Sequence, residues 1–178
     1  MPATCLNVYD EVLKMAVRKK RVVKKDWMDF LRKFNGANRF MSCNIFQGDR
    51  ETAGDITLAG ILYDETERVV SVISASDDPE RACVSVVDVK VPRGIYLISD
   101  TENDRVRGVQ IQGGPGVPMV RVEIVNNNAG RNRHIWISTL AQKIYERRGE
   151  NEGSAQGDWL QAESIVERVV SGLEECLK

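Results

Sequence analysis

The chain has 178 residues, a formal net charge of −1, 42% hydrophobic and 29% charged residues, one His and four Cys. That length suits one well-buried core, or a core with a small appendage, and is short for two full domains. Fourteen Gly and five Pro exclude fibrous repeats and wholesale disorder, no apolar stretch approaches the roughly 18 residues of a membrane-spanning helix, and Met1-Pro2-Ala3-Thr4 lacks the pattern of a secretory signal, so a cytoplasmic protein without membrane contact is expected. Near-neutrality conceals an asymmetry. Residues 1–50 hold 11 Lys/Arg against 5 Asp/Glu, a net +6, and the remainder carries −7.

The chain opens on a helical pattern, with Leu6, Tyr9, Leu13 and Ala16 on one face, widened by Val12 and Val17. A basic run follows: Arg18, Lys19, Lys20, Arg21, Lys24 and Lys25, interrupted by Val22-Val23, whose β-branching weakens a helix. Asp26 can open a second helix, in which Trp27, Phe30, Leu31 and Phe34 fall at i, i+3, i+4 and i+7, and Asn35-Gly36 is expected to end it. From Arg39 the apolar period changes to two. Seven short strands are expected near 41–45, 56–63, 68–74, 82–91, 95–99, 105–112 and 118–125, separated by turn-forming stretches such as 64–67, 77–79 and 113–116. No long crossover separates them, so the sheet is antiparallel, either open or a partly closed barrel.

Residues 126–132 are polar and aperiodic and read as a linker between a sheet domain at 1–125 and a helical hairpin at 133–178. In the hairpin, Ile137, Leu140, Ala141, Ile144 and Tyr145 form one apolar face, closed by Gly149. Asp158 is placed to cap a last helix whose stripe is Trp159, Ala162, Val166, Val169 and Leu173, with Glu163 in reach of Arg147 or Arg148. The fold class is therefore α+β: N-terminal helices, an antiparallel sheet or partly open barrel of about seven strands, and a C-terminal helical hairpin.

Site chemistry is sparse. Cys5, Cys43, Cys83 and Cys176 contain no close pair, which argues against a zinc knuckle or a redox dithiol; Cys43 and Cys83 lie in strand-like runs and are expected in the core. His134 has no neighbour at metal-ligand spacing and no nucleophile motif near it, so no metal, cofactor or catalytic residue is assigned and the reading leans away from an enzyme. The Gly113-Gly114-Pro115-Gly116 loop leads into a strand and reads as a hairpin turn rather than a phosphate cradle. Asp100, Glu102 and Asp104 lack the glycine and distal Glu of a calcium loop and read as a solvated turn. Asp88, between Val87 and Val89, is either buried or turned to water.

Two resemblances add to this. Leu140-Ala141, Ile144-Tyr145-Glu146, Arg148-Gly149, Gly153 and Asp158-Trp159-Leu160-Gln161-Ala162-Glu163 resemble a short bacterial family of unknown function (domain of unknown function twenty-nine thirty-four), over about 133–170. Asp26-Trp27, Phe30, Phe34, the run 58–64 and Val91-Pro92 look more loosely like a second such family (fifty-three thirty-five), over about 22–125; where that family often has a His before the proline, Val87, Asp88 and Val89 stand here. The resemblances imply a bacterial cytoplasmic origin and transfer no activity.

Three functions stay open. The first is a non-enzymatic protein-interaction or adaptor module that docks or self-associates through Trp159, Ala162, Val166 and Val169. The second is binding of nucleic acid, or of an acidic partner, through Arg18, Lys19, Lys20, Arg21, Lys24 and Lys25. The third is a small-ligand or carboxylate-enzyme site on the sheet, lined by Asp88 or Tyr96.

Overall fold

The structure, a computed structural model, describes residues 17–75, 84–148 and 153–175. The helix expected at 6–17, the turn at 77–79, Gly149, Cys5, Cys83 and Cys176 lie outside the described residues, apart from Val17. The elements in chain order are β1 (Val17–Val22), a single 3-10 turn (Lys24–Asp26), α1 (Trp27–Asn38), β2 (Ser42–Gln47), β3 (Arg50–Asp64), β4 (Val69–Ala75), β5 (Val84–Lys90), β6 (Gly94–Asp100), β7 (Val106–Gln112), β8 (Val120–Asn126), α2 (Ala129–Arg148) and α3 (Ala155–Glu175). The fold is α+β, and its eight strands form one antiparallel sheet in the order β1-β6-β7-β8-β2-β3-β4-β5.

One strand more is present than alternation foretold. The basic run is not a helical connection: Val17 pairs with Asp100 and Val22 with Ile95, so Arg18, Lys19, Lys20 and Arg21 form the edge strand β1. Val22 and Val23, poor in a helix, suit an extended chain.

Connectivity shows that the sheet curls. β5 is one edge and β6 lies beside the opposite edge, six strand spacings away, or about 29 Å in a flat sheet. Yet only residues 91–93 join them, and Lys90 to Gly94 can span at most about 14 Å. The sheet therefore bends into a partly closed barrel. Irregular register in the β2–β3, β2–β8, β3–β4 and β6–β7 ladders supplies places to bend. At one of them an ideal Cβ on Gly108 would stand 1.9 Å from the Val122 carbonyl oxygen, so only glycine permits β7 to approach β8 there.

The concave face holds the main core: Cys43 and Ile45, Leu58, Ile61 and Tyr63, Val70 and Val72, Val89, Ile95, Val109, Ile111, Val120 and Val122. Into it α1 lowers Trp27, Leu31 and Phe34, three of the four residues of its predicted stripe, with Phe30 partly buried beside them. The Trp27 ring meets Tyr63 edge-on at 5.2 Å, and its Nε1–H donates to the Val22 carbonyl at 3.1 Å, tying helix to edge strand.

Asn35 does not end the helix. It is buried one turn before the helix terminus and faces β3, where its Nδ2 donates to the Ile61 carbonyl (2.9 Å) and its Oδ1 accepts from the Ile61 amide (2.8 Å). The side-chain amide thus pairs with a strand residue as another strand would, next to the register shift between Leu58 and Gly60. We expect Asn35→Ala to cost about 2–4 kcal/mol, because two buried backbone groups lose their partners. Asn35→Asp should be as damaging at neutral pH, where a buried carboxylate would face a carbonyl, and should recover in part on acidification, when a protonated carboxyl can donate again. Urea unfolding of the two variants at neutral and mildly acid pH tests both statements; equal loss at both pH values would contradict the second.

Candidate interaction face on the sheet edge and helical hairpin

The chain leaves α1 through Phe40, whose φ of 64° is left-handed and uncommon for a bulky residue. Its amide donates to the Leu58 carbonyl at 2.8 Å, and its carbonyl accepts from Asn132 Nδ2 at 2.7 Å. The same Asn132 amide lies 3.2 Å from Ser42 Oγ. Asn132 is buried inside the first turns of α2, so the stretch 126–132 is not a free linker: its last four residues are helical and clasp the start of β2.

With its backbone held this way, Phe40 contributes its side chain to the core of the hairpin. It meets Trp136 edge-on at 5.4 Å and clusters with Ile137, Ala162 and Val166. Ala162 is fully buried, which lets α2 and α3 approach closely, and Trp159 packs at the margin against His134 with ring centres 4.9 Å apart. Three of the four residues read as a partner interface, Trp159, Ala162 and Val166, are thus engaged within the chain. Val169 remains, half exposed.

Two ion-pair groups fix the hairpin. Arg148 donates twice to Asp158, Nε to Oδ1 at 2.8 Å and Nη2 to Oδ2 at 2.7 Å, in a bidentate pair with little exposure. Asp158 is therefore not the helix cap. Ser154 takes that part, its Oγ accepting from the Gly157 amide at 3.1 Å, and the helix starts four residues earlier than the sequence suggested. Glu163 pairs with Arg133 at 3.1 Å, beside Glu167 at 2.5 Å, rather than with Arg147 or Arg148.

Where the hairpin meets the sheet it leaves a cavity of about 240 Å³ between α2, α3 and the adjoining ends of β4 and β5, lined by Ile135, Trp136, Leu140, Ile165, Val166, Val169, Ala75 and Val84 with Thr139 and Lys143. Trp136 Nε1 is buried without an acceptor, an arrangement that costs about 1–3 kcal/mol. Beyond the cavity the outward face of β5 continues apolar. Val84 is 67% exposed and Val86, opposite Ile73 of β4, is 54% exposed.

The two sheet edges differ in chemistry. β1 exposes Arg18, Lys19, Lys20 and Arg21 in succession, with Lys24 and Lys25 exposed just beyond. Arg18 pairs with Asp104, and Arg21 lies 3.4 Å from the Arg93 carbonyl. β5 carries four valines in seven residues, with Asp88 and Lys90 near its end. Asp88 is turned to solvent and accepts from Ser71 Oγ at 2.6 Å. Tyr96 donates to Gln112 Oε1 at 3.2 Å. Asp100 is held by its own turn, accepting from the Glu102 amide and from Arg107; these bonds keep its carboxyl below the usual range. Residues 113–116 form a turn, with the Val117 amide on the Gly114 carbonyl. Among the described residues no three His, Cys, Asp or Glu side chains converge as a metal site, and no helix is long and apolar enough to cross a membrane.

A family model described as a protein of unknown function (DUF2934) matches residues 132–168. The helical hairpin is similar to an uncharacterised domain. The match runs from Asn132, the residue that clasps Phe40, through the Arg148–Asp158 pair to the buried Ala162 and Val166. No curated protein and no solved structure matches the chain.

The hairpin's stability should carry a pH signature. The Arg148 guanidinium holds the Asp158 carboxyl below its ordinary value, so the pair contributes fully above the unfolded-state pKa of about 3.9 and is lost as pH falls through the lower folded value. Protection of α2 and α3 amides, measured against the open-chain exchange rate at each pH, should fall below about pH 4 in the wild type. In Asp158→Asn protection should already be lower at pH 7, and that acid step should shrink; identical pH profiles of protection would contradict the pair's role.

Proposed function

We propose that the protein is a non-enzymatic interaction module of the bacterial cytoplasm, in which an extended segment of a partner protein adds to the β5 edge. The observation that carries this reading is the contrast between the two edges. An exposed edge strand is a template for pairing, and proteins commonly blunt it with charge. β1 carries four consecutive cations, whereas the first four residues of β5 are Val84, Ser85, Val86 and Val87. Val84 and Val86 project outward on the same face of β5, and Val84 shares the cavity wall with Val169 of α3, so side chains of an added strand would meet an apolar face. The hairpin's place in this reading is to wall one end of that face.

Selection of a displayed peptide library on the purified protein tests this. Enriched peptides should alternate β-branched or aromatic residues, and Val86→Lys should weaken their binding at least tenfold while leaving the melting temperature within a few degrees. Peptides that bind Val86→Lys as well as wild type would refute the site. Sedimentation at increasing concentration separates self-pairing from capture of a foreign strand: a second copy on the edge gives a dimer that Val86→Lys dissolves.

A second reading is favoured by Lys19, Lys20, Lys24 and Lys25, which are exposed and have no carboxylate partner among the described residues. Their clustering supports binding of nucleic-acid phosphates, although blunting of the edge accounts for the same charges. On the nucleic-acid reading, labelled single-stranded or duplex DNA binds at low salt, affinity falls log-linearly with salt, and Lys19→Glu with Lys20→Glu weakens it. No binding at low salt would leave edge protection as the role of these lysines.

A further inference from the structure

We infer that the cavity between the hairpin and the sheet is a binding site for a small amphiphilic monocarboxylate, an alkyl or aryl body ending in one carboxylate. The sheet and α3 contribute Ala75, Val84, Ile165, Val166 and Val169, all apolar, while α2 contributes the apolar Ile135 and Leu140 together with Trp136, Thr139 and Lys143, which at i, i+3 and i+7 fall on one helix face. That stripe holds the polar groups of the cavity lining, the Thr139 hydroxyl and the Lys143 ammonium, on either side of which the Trp136 ring and the aliphatic walls are apolar. Lys143 has no carboxylate partner among the described residues, although ion pairs involving Arg133, Arg148 and Asp158 are formed elsewhere on the same hairpin.

The unbalanced charge gives the sign of the ligand, and the apolar lining gives its body. A cavity of about 240 Å³ holds roughly eight heavy atoms at about 30 Å³ each, the share of a water molecule in the liquid. That suits the seven-carbon tail of a medium-chain acid such as octanoate, seated against Val84, Ile165 and Val169. Its carboxylate lies at the mouth beside Lys143, which supplies the countercharge, with the Thr139 hydroxyl as a donor and the Trp136 ring as part of the wall. This site uses side chains behind the β5 edge and not the edge's own amides, so it does not depend on strand addition.

The chain has three Trp residues, so the indole N–H region of a nitrogen–proton correlation spectrum reports on the site directly. Titration of the intact protein with octanoate should shift the Trp136 indole signal, assigned with Trp136→Phe, saturably and well below millimolar concentrations of the order of ten. Trp27, in the barrel core, should not move. Lys143→Met should weaken octanoate about tenfold or more, about 1.4 kcal/mol for each tenfold, while octanol binds both proteins equally and octylamine binds wild type worse than octanoate. Ala75→Leu, which fills the cavity from the sheet side, should weaken octanoate and octanol alike. Val86→Lys, on the outward edge, should leave octanoate binding intact, which separates this site from the edge. Absence of a saturable Trp136 shift in a folded protein, octylamine binding as tightly as octanoate, or octanoate affinity unchanged in Lys143→Met would each overturn the inference.

Discussion

The left-handed backbone of Phe40 is the constraint on which the arrangement of helix, sheet and hairpin depends. A bulky residue at φ 64° carries a cost of about 1–3 kcal/mol and persists only where its surroundings over-determine it. Here the Leu58 carbonyl takes its amide, Asn132 donates to its carbonyl, and Trp136 meets its ring. The turn sends the chain from α1 into β2 and aims one aromatic side chain away from the barrel core. That side chain becomes part of a second core shared by α2 and α3. A hairpin of this length is too small to bury much on its own; an aromatic residue lent by the sheet domain completes it.

Once the hairpin is anchored at this corner, the rest of the surface follows. The barrel is curled by a three-residue link between β5 and β6, and α1 is seated in it by Trp27 and by the Asn35 amide on Ile61. Of the two edges that an incompletely closed barrel must leave, β1 is basic and β5 is apolar on its outward face at Val84 and Val86, before Asp88 and Lys90. The hairpin stands against the apolar one and leaves an open-mouthed cavity beside it. Protein recognition through the β5 edge and ligand recognition behind it are separate uses of one neighbourhood. Both follow from where Phe40 places the helices.

Much of this was legible in the sequence because it rests on local periodicity. Alternation marks β2 to β8, and the i, i+3, i+4, i+7 stripe of Trp27, Phe30, Leu31 and Phe34 marks α1. What escaped depends on contacts between distant residues. β1 looked like a solvated basic run because its only apolar members are Val17, Val22 and their partners lie more than seventy positions away on β6. Asn35-Gly36 carries the local signal of a helix end, yet the buried amide pairing with Ile61 overrides it. Asn132 sits in an Asn-rich stretch with every mark of a linker, and nothing nearby in sequence shows that it clasps Phe40. Asp158 has the type and spacing of a cap, but Arg148 claims both of its oxygens. The apolar stripe of the last helix is legible in the sequence; that Trp159, Ala162 and Val166 of it turn inward against α2 and Phe40 is a tertiary fact. The cavity had no sequence signal, since Lys143 and Thr139 gain meaning only from walls that include Ala75 and Val84.

The central claim is that β5 presents an open edge beside the anchored hairpin. Native-state hydrogen exchange along β5 in the dilute, unpartnered protein tests it most directly. An open edge predicts alternation: amides bonded to β4 exchange slowly, and the intervening amides exchange at nearly the rate of an open chain. Uniform protection from Val84 to Lys90 would contradict it, because the edge would then be covered by the chain itself.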